Sequence, residues 1–143
     1  LYTVSLAALD VETGKLRWYY QQVPHDQWGL DVASPAVLFD VDIDGRRVPA
    51  VGGAGKTGWF YVLDRRDGRL LFKSEPFVPQ SNQFRRPTAE GIEIAPGAAG
   101  GANWSPVAFD PRSGLAYVAA LHMPTRYTVK EMPATADKPA LRY

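Results

Sequence analysis

The amino-acid sequence predicts an all-β fold that forms part of a β-propeller. The first observation is composition: 13 glycines, 12 prolines and a 12% share of aromatic residues are typical of a chain with many short strands and tight turns. The second is an internal repeat, in which an apolar run is followed by Asp, three further residues, Gly and another apolar run. Three copies occur about fifty residues apart, at 9–14, 63–68 and 109–114.

Each copy of this repeat predicts a β-hairpin. The Asp carboxylate accepts backbone N–H bonds across the turn, and the Gly that follows supplies the positive φ that closes it. The flanking runs have strand character, since residues 59–63 (WFYVL) and 115–118 (LAYV) are rich in aromatic and β-branched side chains. A fourth hairpin is predicted from residues 36–39 through an Asp-Gly pair at 44–45 to residues 48–51.

Hairpins paired into four-stranded units at this spacing are typical of propeller blades. Residues 1–22 are expected to form the second half of one blade, residues 34–72 a complete blade, and residues 104–121 the opening of a third. The alternative is an antiparallel sandwich built from the same hairpins. A propeller closes with roughly four to eight blades. A chain that opens mid-pattern at Leu1 with one whole blade and two halves is therefore expected to be a segment of a larger propeller.

The remaining stretches complete the predicted organisation. Residues 1–127 are predicted to form the partial propeller and residues 128–143 an extended tail, unpaired from residue 134 onward. Residues 73–101 are rich in Pro, Gly and polar side chains and are longer than most loops in compact domains. We expect that stretch to be functional or to pack on the propeller face.

Composition and charge exclude several classes of function. A formal net charge of +1 gives no basis for a nucleic-acid or anionic-membrane partner. The absence of cysteine excludes disulfides, cysteine-ligated metals and thiol catalysis, and two histidines are too few for a three-histidine metal site. No apolar run approaches the roughly 20 residues of a membrane helix, and no signal peptide is recognisable at the start.

Four motifs, in order along the chain, resemble one family. They are residues 8–18 (ALDVETGKLRW), 25–31 (HDQWGLD), 55–65 (GKTGWFYVLDR) and 100–104 (GGANW). The first resembles the tryptophan-docking motif of quinoprotein dehydrogenases, in which a tryptophan of one blade stacks on a peptide of the next. The set as a whole resembles the eight-bladed alcohol and glucose dehydrogenases that use pyrroloquinoline quinone (PQQ), over residues 1 to about 127.

This resemblance implies an activity and its partners. Enzymes of the family oxidise alcohols or sugars in the periplasm, with PQQ held against a calcium or lanthanide ion. Electrons are expected to leave to ubiquinone or a cytochrome c, and membrane association is expected only through segments outside these residues. The rest of the propeller chain is the first partner implied, and no nucleic acid is expected.

The resemblance also assigns candidate site residues. Lys56 corresponds to a basic residue that contacts the quinone oxygens, where a fixed cation stabilises the negative charge that arrives with hydride. Asn103 corresponds to an amide that bonds the quinone, and Trp104 to an indole that borders it. The alternatives are a solvated charge for Lys56 and plain packing between blades for Trp104. Trp18, Trp28 and Trp59 are interpreted as blade packing.

One position departs from the family pattern. The usual catalytic base is a carboxylate directly after the tryptophan, and here that position is Gly29. The second family carboxylate, a metal ligand in lanthanide-dependent relatives, is kept as Asp31. Three interpretations stay open for Asp31: a displaced base or metal ligand, a residue that bonds only its own turn, or part of a degenerate site. One Asp alone does not build a hard-cation site.

Two functions from different classes follow. The first is a segment of a PQQ-dependent alcohol or sugar dehydrogenase that contributes part of the quinone pocket, inactive as an isolated chain. The second is a quinoprotein-like propeller that serves as a binding or assembly scaffold, its site lost with Gly29. A phosphate-binding loop at residues 50–57 is rejected, because a strand-like run rather than a helix follows Thr57.

Overall fold

A computed structural model describes residues 2–142. Leu1, which opens the first predicted half blade, and Tyr143, which ends the predicted tail, lie outside the described residues. Residues 2–142 contain no helix, and hence none long and apolar enough to cross a bilayer. Their strands are β1 (Ser5–Leu9), β2 (Leu16–Gln21), β3 (Val37–Ile43), β4 (Arg46–Ala54), β5 (Phe60–Asp64), β6 (Leu70–Lys73), β7 (Ile92–Ile94), β8 (Ala108–Asp110), β9 (Leu115–Tyr117), β10 (Thr125–Tyr127), β11 (Glu131–Met132) and β12 (Leu141–Arg142).

The central element is a four-stranded antiparallel sheet in the order β3-β4-β5-β6. It confirms the complete blade predicted for residues 34–72. Its first turn is the Asp44-Gly45 pair, where both residues have positive φ, 51° and 74°. Two positive φ angles in a two-residue turn match the twist of the flanking strands, and Asp-Gly is a favoured pair for this geometry.

The repeated Asp-Gly turns have the predicted chemistry in all three copies. In each turn the Gly backbone N–H donates to the Asp carbonyl oxygen, at 2.8, 2.8 and 2.9 Å. In each turn the Asp carboxylate also accepts a backbone N–H two or three residues later, and the Gly has a φ near +70°. These bonds join Gly14 to Asp10, Gly68 to Asp64 and Gly114 to Asp110.

The two flanking hairpins are the predicted half blades. Strands β1 and β2 pair with each other, as do β8 and β9. Trp18, on β2, docks on the complete blade: its ring lies directly against Gly68, and its indole N–H donates to the Arg65 carbonyl oxygen at 3.0 Å. The tryptophan-docking contact expected from the sequence is therefore present.

The turn that receives Trp18 is fixed by a buried carboxylate. The Asp64 side chain is only 1% exposed and pairs with the Arg66 guanidinium at 2.6 Å, with Arg69 at 3.9 Å. Hydrogen bonds from the Arg66 side chain hold the pKa of Asp64 at about 2, against the opposing effect of burial. The carboxylate stays ionised near neutral pH, so its bonds hold the docking surface in place.

The segments after the complete blade are more ordered than the sequence predicts. Within residues 73–101, β7 forms and pairs with β10. The prediction of an unpaired tail from residue 134 is wrong for the described residues, because β11 and β12 pair with each other. Reciprocal backbone bonds between Thr135 and Lys138, at 2.9 and 3.3 Å, close the connection. Backbone pairing of this kind leaves little pattern in the side chains, which explains why the sequence missed it.

Two apolar clusters position the loops at one end of the central blade. The first packs β4 and β5 side chains against Ala102 and Val107, which come from the loop before β8. The second surrounds Trp28 and Leu30 with Val23 and Ile94. The stretch around residue 102 is thus anchored by burial against β4 and β5, and the stretch around residue 30 by burial against Val23 and Ile94.

The docking of Trp18 predicts a specific cost for substituting Gly68. An added Cβ would lie 2.6 Å from the Trp18 ring, so Gly68→Ala cannot be accommodated without moving the indole. Gly114→Ala is the matched control, since Gly114 has a similar φ of 71° and nothing within 4 Å of the added Cβ. In the full-length protein we expect the free energy of unfolding of both variants to fall by about 1 kcal/mol, because alanine is strained in the left-handed backbone conformation.

The free energy of unfolding is expected to fall clearly more for Gly68→Ala than for Gly114→Ala, because only the first variant places a Cβ against the Trp18 ring. Denaturant unfolding, with indole fluorescence as the readout, measures both. Equal losses for the two variants would show that Trp18 does not dock on this turn.

Candidate functional site

Lys56 lies in the tight turn between β4 and β5, and its backbone joins three segments of the chain. Its N–H donates to the Asp31 carbonyl oxygen at 3.1 Å, and its own carbonyl oxygen accepts the Gly101 N–H at 2.9 Å. The preceding Gly55 accepts the Ala102 N–H at 3.2 Å. Three of the four motifs recognised in the sequence, 25–31, 55–65 and 100–104, therefore meet at this turn.

The Lys56 side chain is turned inward onto the first of these segments. Its Nζ donates to the Gly29 carbonyl oxygen at 3.0 Å and to Asp31 Oδ2 at 2.7 Å. The lysine side chain is 14% exposed, whereas that of Asp31 is 62% exposed. A mostly buried ammonium with two oxygen partners is not a solvated surface charge, so that alternative for Lys56 is wrong.

Asp26 shapes the segment that presents Gly29 and Asp31. Its carboxylate accepts the backbone N–H groups of Trp28 and Leu30, at 3.0 and 2.9 Å. The Asp26 side chain thus bonds backbone at this loop corner. Gly29, between the two donors, has a φ of +71° and no described atom within 4 Å of a Cβ built on it. The position at which the family carries its base is therefore spatially open.

Trp28 holds the same segment in place by packing and hydrogen bonding within the fold. Its ring is buried, its indole N–H donates to the Arg85 carbonyl oxygen at 2.9 Å, and its carbonyl oxygen accepts the Tyr127 hydroxyl at 3.0 Å. Burial raises the pKa of Tyr127, so its hydroxyl stays protonated and able to donate. The predicted structural role of Trp28 fits these contacts.

The 100–104 loop lies directly on Lys56. A Cβ on Gly100 would come within 2.2 Å of Lys56 Cγ, so the loop approaches as closely as a glycine permits. The Asn103 amide nitrogen donates to the Ala99 carbonyl oxygen at 3.0 Å, and its Oδ1 is buried without a partner. Trp104 is 80% exposed among residues 2–142, so both of its predicted roles, bordering the quinone and packing between blades, stay predictions.

The donor set at this turn fits part of a site for an anionic quinone and a hard cation. Lys56 offers an ammonium, Asn103 a buried amide oxygen, and Asp31 an exposed carboxylate. Among the described residues no group of three or more His, Asp or Glu side chains is arranged to hold a metal. A hard cation takes six or more oxygen ligands, so Asp31 and Asn103 would supply only part of such a set.

Four polar residues around this turn were not singled out from the sequence. Gln22, Thr57, Gln80 and Gln83 all carry buried polar atoms without a partner. The two later glutamines both donate from their amide nitrogens to the Thr57 carbonyl oxygen, at 3.1 and 2.8 Å. They belong to the 73–101 stretch that the sequence predicts to be functional or to pack on the propeller face. No local motif marks individual residues within it.

Comparison with known proteins identifies the family. The family model described as "PQQ: Glucose/ethanol/alcohol dehydrogenase, beta-propeller domain" matches residues 1–84 and, again, residues 74–141. The chain belongs to this PQQ dehydrogenase propeller family. The resemblance expected from the four motifs is thereby confirmed, and the fold is a partial β-propeller rather than a sandwich.

Individual relatives agree with this assignment. The chain is 33% identical to a quinoprotein ethanol dehydrogenase of Pseudomonas putida, over 92% of the chain and 25% of that protein. It is 36% identical to a quinohemoprotein alcohol dehydrogenase of Comamonas testosteroni, over 87% of the chain and 19% of that protein. A solved structure of a europium-containing methanol dehydrogenase superposes with a TM-score of 0.79 at 33% identity, over 97% of the chain and 27% of that structure. The chain thus spans about a quarter of the length of these relatives or less.

The contacts of Asp31 predict that Asn can replace it at little cost in stability, because an amide oxygen can still accept from the Lys56 ammonium and solvent reaches the pair from the exposed Asp31 side. Its side chain is largely exposed and the backbone bond between its carbonyl oxygen and Lys56 survives substitution. Asp31→Asn is therefore expected to lower the free energy of unfolding of the full-length protein by about 1 kcal/mol or less.

Asp64→Asn is the matched control, because Asp64 is 1% exposed and pairs with arginine. Asp64→Asn is expected to lower the free energy of unfolding several times more than Asp31→Asn does. Chemical denaturation of the two variants makes the comparison. A large loss for Asp31→Asn would assign Asp31 to the framework rather than to a site.

Proposed function

We propose that this chain forms one wall of the cofactor site in a PQQ-dependent alcohol dehydrogenase. The observation that carries the proposal is the Lys56 ammonium, mostly buried, paired with Asp31 and held where three loops meet. A lysine fixed by its own backbone on both sides is preorganised, and preorganised charge is what electrostatic catalysis requires. Membership of the family supplies the cofactor class.

When bound, PQQ supplies a quinone that accepts a hydride from the substrate carbon. The Lys56 ammonium would stabilise the negative charge that builds on the quinone oxygens, and the Asn103 amide nitrogen would donate its second hydrogen to the ring system, since its first is used on the Ala99 carbonyl oxygen. Trp104 would border the cofactor with its exposed face. Because Lys56 is already paired with an anion, contact with a quinone oxygen would use the remaining donor of the ammonium or displace the Gly29 carbonyl oxygen.

Asp31 would serve the site in one of two ways. Its exposed carboxylate would either ligate a calcium or lanthanide ion or accept the hydroxyl proton of the alcohol in place of the missing base at Gly29. Both roles need a carboxylate oxygen that faces outward, and Asp31 is 62% exposed although its Oδ2 lies 2.7 Å from Lys56 Nζ. The remaining cation ligands would come from outside this chain.

The names of the relatives support the substrate and acceptor classes. Those relatives are ethanol, alcohol and methanol dehydrogenases, so we propose a small alcohol in preference to a sugar. A cytochrome c acceptor is proposed on the name of one relative, the 1-butanol dehydrogenase (cytochrome c) of Thauera butanivorans, with ubiquinone as the alternative. A periplasmic location is proposed on family resemblance alone.

Gly29 favours a second candidate function. A glycine cannot take a proton, and every other feature of the segment is compatible with a propeller that keeps its fold without turnover. In that case the chain would belong to a binding or assembly scaffold.

Reconstitution of the full-length protein with PQQ and Ca²⁺ or a lanthanide separates the two functions. Dye reduction with short alcohols is expected. Lys56→Met is expected to lower kcat by about 10² or more, because it removes one fixed charge from the transition state. Lys56→Arg is expected to keep a measurable part of the activity. The control is Lys15→Met, at an exposed hairpin position, which should leave activity unchanged. If the native protein shows no turnover and binds no PQQ, the scaffold function is favoured.

The open position at Gly29 predicts a gain of function. Gly29→Asp restores a carboxylate where no described atom lies within 4 Å of the new Cβ, and Asp tolerates the left-handed backbone better than most residues. Gly29→Asn has the same size without the charge. If the site lacks its base, the Asp variant is expected to turn over at least about tenfold faster than the Asn variant. Equal rates for both would assign proton acceptance to Asp31.

A further inference from the structure

Unpartnered polar atoms are concentrated around the Lys56 turn. Thr57 Oγ1, Gln80 Oε1 and Gln83 Oε1 are each buried without a hydrogen-bond partner. Buried polar groups in native proteins are nearly always bonded, and those without a protein partner usually bind ordered water or an ion. Three such atoms on residues that already contact one another point to one shared ligand.

The orientation of the two glutamine amides is fixed by chemistry. Both side chains reach the Thr57 carbonyl oxygen, at 3.1 Å for Gln80 and 2.8 Å for Gln83. A carbonyl oxygen only accepts hydrogen bonds, so each amide must present its nitrogen to Thr57. Each amide oxygen is consequently left facing another direction, and each needs a donor of its own. Flipping either amide would oppose two oxygens and leave the nitrogen unpaired.

Thr57 supplies the third group. It is 0% exposed, and its hydroxyl has one donor hydrogen to offer. We propose that Thr57, Gln80 and Gln83 bind one buried water molecule beneath the Lys56 turn. The water would donate to the two amide oxygens and accept the Thr57 hydroxyl hydrogen. This uses both of its hydrogens and matches the usual coordination of about three bonds for a buried water.

The charges around the site favour water over a metal ion. The three oxygens are all uncharged, and the neighbouring residue in the chain is the Lys56 ammonium. Asp31, whose carboxylate is hydrogen-bonded to this turn, is already paired with that ammonium. Three uncharged oxygens supply too few ligands and no negative charge for a hard cation, whereas a water molecule needs neither.

The water would make Gln80 and Gln83 positioning residues for Lys56. Both side chains donate to the carbonyl oxygen of Thr57, the residue after Lys56. They belong to a segment whose backbone is strained at Asn82 and Phe84, which have φ of 52° and 65°. The Phe84 ring is held 5.7 Å from that of Trp28 and 6.2 Å from that of Trp59. The long connection before β7 is thus fastened to the Lys56 turn, and this consequence for catalysis rests on the function proposed above.

One other partner competes for the Thr57 hydroxyl. Burial raises the pKa of the Tyr61 phenol, and the nearby Thr57 hydroxyl works against that rise. The two hydroxyls are therefore close, although they do not meet hydrogen-bond geometry in the structure. A direct bond between them is an outcome that the experiment must distinguish.

A crystal structure of the full-length protein at a resolution that resolves ordered water is the first test. We expect one density peak at about 2.7–3.2 Å from Thr57 Oγ1 and from both glutamine Oε1 atoms. No peak, a direct bond from Thr57 to Tyr61, or a peak with contacts near 2.4 Å, as for a metal ion, would each overturn the proposal. This readout does not depend on PQQ, so it fails or succeeds separately from the proposed function.

In thermal unfolding of Thr57→Val, the sign of the change in melting temperature tests the proposal. If the hydroxyl binds water, Val removes a satisfied group and the melting temperature falls. If the hydroxyl is unsatisfied, Val relieves a buried polar group and the melting temperature rises, which would contradict the proposal. Thr57→Ser keeps the hydroxyl and is expected to keep the density peak, whereas Thr57→Val is expected to lose it.

The positioning role is tested with Gln83→Met in the reconstituted enzyme. Because Lys56 acts on the cofactor and not on the alcohol, kcat is expected to fall about tenfold while KM for the alcohol stays within about twofold. The matched control is Gln21→Met, since Gln21 also donates to a backbone carbonyl, that of Thr3 at 3.0 Å. It should leave both constants unchanged. An unchanged kcat in Gln83→Met, or an equal fall in the control, would overturn the positioning role.

Discussion

The candidate site depends on the peptide of Lys56, which is bonded on both sides to other parts of the chain. Its N–H reaches the Asp31 carbonyl oxygen, and its carbonyl oxygen receives the Gly101 N–H. Backbone bonds of this kind do not depend on side-chain rotamers, so they fix the lysine more firmly than a surface ion pair would. The separate loops on either side become a single surface because this turn lies between them.

This arrangement also explains why a charged side chain is stable in a largely buried place. Removing an ammonium from water is costly unless it is paired and hydrogen-bonded. Here the Gly29 carbonyl oxygen and the Asp31 carboxylate supply both partners. The same pairing leaves Asp31 exposed on its outer side, so one ion pair holds the lysine while still offering a carboxylate to a cation or a substrate.

The sequence predicted the features that depend on local chemistry. The Asp-Gly turns were recognised because one carboxylate and one positive φ explain each of them, and the docked Trp18 follows from the same repeat. The contacts that join distant segments were only partly predictable. Family motifs indicated Lys56, Asp31 and Asn103, but not that the first two form a pair.

The glutamines on Thr57 and the hairpin of the tail could not be predicted. In both places the contact lies between backbone and side-chain groups, or between two backbones, with no periodic pattern in the residues. Trp104 is largely exposed within residues 2–142. Its surroundings in a closed propeller would include residues beyond this chain.

The most direct measurement is a crystal structure of the full-length protein loaded with PQQ. The account predicts a quinone oxygen within hydrogen-bond distance of Lys56 Nζ, with the backbone bonds of the Lys56 turn to Asp31 and Gly101 intact. Quinone density bound away from this turn, or a Lys56 side chain with no contact to the cofactor, would contradict it.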